Sequence, residues 1–233
     1  MHGGVPRLDE LGRLVGDPSR AAMLGALMDG RAWTGRELAN FAHVSPSTAS
    51  SHLQRLLRGD LITVFAQGRH RYYRIASPYV AAALESLMAL APPPVVRHPT
   101  ERRIASDLCA ARLCYDHLAG KLGVALADSL VQRGAIVLSE GGSTLTKEGS
   151  SFFDRIGARV ERSRRPICRA CLDWSERRAH VAGTVGASLA TLALEREWVR
   201  RKKGSRALAV TPQGANAFRD IFGIADQLSN AEE

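Results

Sequence analysis

The chain has 233 residues, enough for two domains of ordinary size, and 45% of them are apolar, which excludes general disorder. A formal charge of +9 and a pI near 10.0 favour an anionic partner such as nucleic acid. No apolar run reaches the ~20 residues needed to span a bilayer and no signal peptide opens the chain. The reading is therefore a cytoplasmic protein with no membrane partner, whose four cysteines are reduced thiols or metal ligands rather than structural disulfides.

Leu8, Leu11, Leu14 and Val15 recur at helical spacing and line a first helix. Asp17 and Pro18 cap and open a second, with Met23, Leu24, Leu27 and Met28 inside. Thr34 caps a short third helix, "TGRELANFA", in which Glu37 completes a capping box. The next helix comes from "VSPSTASSHLQRL", with Ser45 as its cap and Pro46 at its first position. Ala49, Leu53, Leu56 and Leu57 make its apolar face, and Ser47, Thr48, Ser51, Gln54, Arg55 and Arg58 fall mainly opposite. Ser and Thr weaken a helix, so four of them near one end call for a cap or a partner. One reading is a cap with solvated neighbours. The other is that short donors and acceptors let the helix approach phosphates and base edges closely. In "DLITVFAQGRHRYYRIA" two strands alternate about a Gln67-Gly68 turn, and Arg69, His70 and Arg71 sit at or beside the tip. Helices, a turn, a second helix and a basic-tipped hairpin make a winged helix-turn-helix, whose second helix enters a major groove.

The "S-x-S-T-x-S-x-H-L" core and the "G-R-x-x-Y-Y-x-I" wing, within Leu8 to Leu90, resemble the ArsR/SmtB family of bacterial repressors. The resemblance implies double-stranded DNA as partner, with Ser45, Ser47, Thr48, Ser51, His52 and Gln54 near bases or phosphates. Arg55, Arg58, Arg69 and Arg71 would hold phosphates. It also implies a homodimer through the first helix and the helix after the wing, and hence an inverted-repeat operator. In "YVAAALESLMALA", Val80, Ala83, Leu84, Leu87 and Leu90 form an apolar stripe that a partner copy or the rest of the chain must cover. The family's metal sites do not carry over: "WTGRELANF" has no Cys and the dimer helix has no His.

"APPPVVRHPT" divides the chain, because three prolines cannot continue a helix. The expected domains are a DNA-binding and dimerisation domain over 1–91, a Pro-rich linker over 92–100 and a sensing domain over 101–233. The last contains a repeat: "HLAGKLGVALADSLVQRGAIV" from His117 is matched by "HVAGTVGASLATLALEREWVR" from His180, and "LTKEGSSFF" by "VTPQGANAF". Each unit reads as a helix, a hairpin and a helix begun by "T-x-x-G", like half of a winged-helix domain. The expected class is thus mainly α with small β-hairpins (α+β), with two winged-helix-like repeats at the C-terminus. Gly120/Gly123 and Gly183/Gly186 suggest close backbone approach, expected between the two repeat helices, with room for a ligand as the alternative.

Cys168-x-x-Cys171 and Cys114-x-x-His117, the latter expected on a helix, could together make a Cys3His metal set, with Cys109 as a substitute. Small buried apolar residues are the first reading, a redox pair whose oxidation or alkylation releases DNA the second, and the metal set the third. Asp173 and Trp174 could line an aromatic pocket or be a cap and a core residue, and His180 joins Cys114, His117, Cys168, Cys171 and Trp174 as a candidate for sensing. The chain carries no P-loop, GxSxG, HExxH or dinucleotide fingerprint. The expectation is a non-enzymatic transcriptional regulator, a repressor released by a small-molecule, thiol-reactive or metal inducer, with no cofactor needed for DNA binding. The alternative is a thiol- or metal-dependent enzyme or an RNA-binding protein that uses the C-terminal domain.

Overall fold

The helix starts read from capping residues are the helix starts of the computed structural model, which describes residues 7–92, 99–139, 142–161 and 165–224. The chain divides into two compact units, residues 1–81 and 82–233. The first is built from α1 (Leu8–Val15), α2 (Pro18–Leu27), β1 (Trp33–Thr34), α3 (Gly35–Phe41), α4 (Pro46–Arg58), β2 (Ile62–Gln67) and β3 (His70–Ile75). Asp17 accepts from the Arg20 amide at 3.0 Å and starts α2. Thr34 and Glu37 form both halves of a capping box on α3. Ser45 accepts from the Thr48 amide at 3.2 Å and starts α4. Each cap satisfies a first-turn N–H that the helix itself leaves unpaired. Met23, Leu24, Leu27, Met28, Leu38, Leu53 and Leu56 are buried together with Ile62 and Ile75, so the helices close over one face of the small sheet.

That sheet is antiparallel in the order β1-β3-β2. Gln67 pairs with His70, which leaves Gly68 and Arg69 as the two-residue turn, one position later than the expected Gln67-Gly68. Gly68 takes φ +60, a value open to glycine without strain.

The unit boundary falls inside α5 (Pro78–Leu90), not in the proline run. The reason is that the later turns of α5 bond to the second unit: Glu85 pairs with Arg206 at 3.0 Å and the Ala89 carbonyl accepts from Arg177 at 2.6 Å. The expected linker lies largely at residues 93–98, outside the described residues, and a helix, α6 (Pro99–Ala110), already begins at its end.

The second unit is the repeat. Its first half comprises β4 (Arg112–Cys114), β5 (His117–Ala119), α7 (Gly120–Gln132), β6 (Ile136–Val137), β7 (Thr144–Leu145) and α8 (Lys147–Ile156). Its second half comprises β8 (Arg169–Leu172), β9 (Ala179–Ala182), α9 (Gly183–Glu195), β10 (Val199–Arg201), β11 (Leu208–Val210) and α10 (Pro212–Phe222). Each half is hairpin, helix, hairpin, helix. His117 and His180 therefore stand on strands, not at helix starts as the sequence suggested.

"T-x-x-G" does the same work twice. Thr146 and Thr211 each accept from the glycine amide three residues on, at 2.9 Å in both halves. A Cβ on Gly149 would sit 1.9 Å from the Ala135 carbonyl oxygen, and one on Gly214 would sit 1.9 Å from that of Trp198. Only glycine lets these helices start so close to the residue that opens the preceding hairpin. The core of the unit runs through Leu122, Leu126, Leu130, Phe153, Val185, Leu189, Trp198, Phe218 and Phe222, drawn from both halves.

Candidate nucleic-acid interface and buried cysteine–histidine centre

On α4 the apolar positions are buried and the hydroxyl row is not. Ala49, Leu53 and Leu56 face the core, while Ser45, Ser47, Thr48, Ser51, Gln54, Arg55 and Arg58 are exposed. The hydroxyls are already joined: Ser45 Oγ lies 2.9 Å from Ser47 Oγ and 2.8 Å from Thr48 Oγ1. Arg69 and Arg71 are exposed at and beside the wing tip. His52 departs from this row. Its Nδ1 lies 3.1 Å from Arg20 Nη1, and it is largely covered. Arg20, which the sequence did not single out, is buried and also donates to the Leu14 and Arg13 carbonyls at 2.7 and 2.6 Å. It ties the end of α1 and the start of α2 to α4, so His52 positions the helix rather than facing outward.

In the second unit, four side chains converge: Cys114, His117, Cys171 and His180 are all buried, and their donor atoms lie within 4.8 Å of one another. Cys114 is directly opposite His117 across β4–β5, and Cys171 is directly opposite His180 across β8–β9. Directly opposed residues project on the same side of a sheet, so each hairpin offers one sulfur and one imidazole together. The two Nε2 atoms are 3.1 Å apart and the two sulfurs 4.0 Å apart.

The outer nitrogens meet carboxylates. His117 Nδ1 lies 3.2 Å from Asp116 Oδ1, and His180 Nδ1 lies 3.4 Å from Asp173 Oδ2, outside good hydrogen-bond alignment. Asp173 is fully buried beside Arg112, and it accepts from the Gly120 amide at the start of α7 and from the Ser175 amide and hydroxyl. Against the opposing effect of burial, Arg112, Gly120 and Ser175 hold its carboxyl well below the usual range. Burial pushes the Cys114 thiol well up, whereas Cys171 is drawn far down, chiefly by the Cys114 thiol and then by the His117 and His180 rings. Burial disfavours the charged form of His117, but Asp116 and Cys171 outweigh it and raise its pKa.

The cluster differs in membership from the Cys3His set expected from spacing. All four cysteines are free thiols, but Cys168 belongs to the apolar core, where burial raises its pKa to about 11, and Cys109 lies on α6, outside the cluster. The Arg112 guanidinium sits 4.3 Å over the Trp174 ring. The paired glycines do not mark helix-to-helix approach either. A Cβ on Gly123 would meet the Leu118 carbonyl at 2.4 Å, and one on Gly186 that of Val181 at 2.2 Å. The histidine of the other half is the next neighbour, with Cβ atoms 3.7 and 3.0 Å away respectively. One signal in the chain could have found the fourth member of the cluster. "R-x-C" at Arg112 recurs at Arg169, ahead of "H-x-A-G" in both halves, with six extra residues between Cys171 and His180.

A helix-turn-helix domain family matches residues 15–64. Over 222 residues the chain is 43% identical to the uncharacterized HTH-type transcriptional regulator YdfF of Bacillus subtilis, covering 94% of this chain and 98% of that protein. It is 36% identical over 81 residues to the HTH-type transcriptional regulator CmtR of Mycobacterium tuberculosis, covering 35% of this chain and 68% of that one. The solution structure of CmtR, described as a cadmium metal-sensor, aligns with 39% of this chain and 98% of its own at 32% identity and a TM-score of 0.31. Among the described residues, no helix is long and apolar enough to cross a membrane. With the capped helices, the wing and a relative matched along nearly its whole length, the chain belongs to the HTH-type transcriptional regulators.

Proposed function

We propose that this regulator binds an inverted-repeat operator in duplex DNA as a homodimer and represses until a signal is received in the second unit. The observation that carries the reading is the exposed face of α4, where Ser45, Ser47, Thr48, Ser51 and Gln54 leave room for close approach and Arg55 and Arg58 flank them. Short hydroxyl side chains pair with phosphates and base edges, and arginines neutralise phosphates. Arg69 and Arg71 on the wing add phosphate contacts beyond the groove.

Dimerisation is supported by open apolar faces on the two helices the family uses. None of the leucines of α1 is fully buried, and Leu8 is exposed. On α5, Leu84 is buried but Tyr79, Ala83, Leu87 and Leu90 are exposed. A monomer would leave those side chains in water.

The test is a gel-shift and footprint with the full chain. Ser47→Glu with Ser51→Glu places two carboxylates against phosphates and should abolish operator binding while the circular dichroism spectrum stays unchanged. Half-sites should lie about one helical turn, roughly 10 base pairs, apart. Unchanged binding by the double variant, or preference for single-stranded RNA, would overturn the reading.

A further inference from the structure

The buried centre of the second unit crowds two imidazoles and two sulfurs into one space, their donor atoms within 4.8 Å of one another. His117 Nδ1 meets the Asp116 carboxylate at 3.2 Å, which favours the N–H on that nitrogen, while His180 Nδ1 lies 3.4 Å from Asp173 Oδ2 without a hydrogen bond. The two Nε2 atoms face each other at 3.1 Å, so at most one proton fits between them. Two sulfurs point into the same space, and none of the four residues is more than 6% exposed, so water cannot fill the role of donor from outside. A cation at the centre would satisfy all four at once.

The distances agree with one class of ion. With metal–sulfur bonds of about 2.3 Å and metal–nitrogen bonds of about 2.0 Å, tetrahedral zinc spaces two sulfurs about 3.8 Å and two nitrogens about 3.3 Å apart. The observed separations are 4.0 and 3.1 Å. Charge agrees too, because a divalent ion with two thiolates is neutral. The two outer carboxylates have their own partners, Arg165 on Asp116 and Arg112 on Asp173. A borderline-soft donor set without oxygen disfavours magnesium and calcium. With all four donors protein-borne and buried, no position stays open for substrate or water, as in sites that hold structure together.

We propose that Cys114, His117, Cys171 and His180 bind one tetrahedral, thiophilic divalent cation of the zinc class, which fastens the two halves of the repeat to each other. Each half supplies one cysteine and the histidine across the strand from it. Gly186 lies close against the other half's His117, whose Cβ would be 3.0 Å from a side chain there. The site is unlike anything expected from the DNA-binding unit, and its existence does not depend on what DNA the protein reads.

The experiment uses the full chain, purified under reducing conditions, stripped with a chelator and titrated with cobalt(II) and then zinc. One cobalt per chain should bind with the intense visible absorption of a four-coordinate ion and a sulfur-to-metal charge-transfer band, and zinc should displace it. Cys168→Ser and Cys109→Ser should titrate as the native chain does. Cys171→Ser should lose the charge-transfer intensity and weaken binding by more than about 100-fold, beyond the 10–100-fold range of an outer-sphere change. If that variant fails to fold, Asp116→Asn, which leaves the four ligands in place, should still bind but about 10–100-fold more weakly. A native chain that takes up no cobalt in this form, or that binds it equally well without Cys171, would overturn the proposal. So would a chain that stays metal-free in excess zinc and instead forms a Cys114–Cys171 disulfide on mild oxidation.

Discussion

Replacing Asp173 with Asn should unfold the second unit far more easily than its single-atom change suggests. Asp173 and Arg112 are both fully buried, with Arg112 Nη2 2.9 Å from Asp173 Oδ1. Oδ1 also accepts from the Ser175 amide and hydroxyl and the Glu176 amide, and Oδ2 accepts from the Gly120 amide. An Asn can keep its oxygen on one side only, so its NH2 must face a backbone N–H donor on the other. Arg112 would retain the Leu108 carbonyl, the Ser175 hydroxyl and the Trp174 ring, none of them charged. Stranding one member of a buried ion pair costs about 3–5 kcal/mol. Arg112→Met should cost less, because the carboxylate it leaves behind keeps four hydrogen-bond donors. The double variant should cost less than the sum of the two, since no charge is then left alone. In urea, with a slope of about 2 kcal/mol/M, the Asp173→Asn midpoint should fall by about 1.5–2.5 M. Fluorescence of Trp174 and Trp198 reports the second unit, and Trp33 the first. A midpoint shift below about 0.5 M on that scale, or strictly additive single effects, would refute the account of Asp173 as the counter-charge.

Asp17→Ala should remove the cap of α2 and cost about 1 kcal/mol near neutral pH, measured by thermal unfolding. The amide of Arg20 holds the Asp17 carboxyl below its ordinary value despite some desolvation, so its stabilisation is present above the unfolded pKa and lost as pH falls through the folded one. The gap between native and variant should therefore narrow on acidification from neutral pH, and a gap that widens would reverse the assignment. Gly214→Ala places a Cβ 1.9 Å from the Trp198 carbonyl oxygen, so α10 must shift. A loss of about 2 kcal/mol or more is expected by urea unfolding, whereas an unchanged midpoint would deny the close approach. Arg69→Ala should weaken operator binding uniformly across sequences and reduce the magnitude of the salt dependence by about 1 per protomer. A changed base preference with an intact salt slope would move Arg69 from phosphate to base contact.

The parts of this protein legible in the sequence are those decided within a few residues. Asp17, Thr34, Ser45, Thr146 and Thr211 each cap the helix that follows at once, and a cap depends only on a side chain and an amide two or three positions away. The apolar face of α4 and the duplication after residue 100 were likewise written in local periodicity and internal likeness.

Tertiary structure decided the metal centre, because it depends on which way the chain turns between ligands. Cys114-x-x-His117 works since a two-residue turn at Tyr115 and Asp116 puts its ends directly opposite each other. The same spacing in Cys168-x-x-Cys171 fails because no turn intervenes: the chain runs on into β8, so Cys168 goes to the core and Cys171 to the centre. The true partner of Cys171 is His180, across a hairpin loop of residues 173–178, and no rule of short spacing connects them. The pairing of the two hairpins then joins ligands 63 residues apart, His117 and His180. Local sequence fixes caps and faces because their partners are neighbours along the chain, whereas a four-ligand centre shared between two halves exists only once those halves are packed.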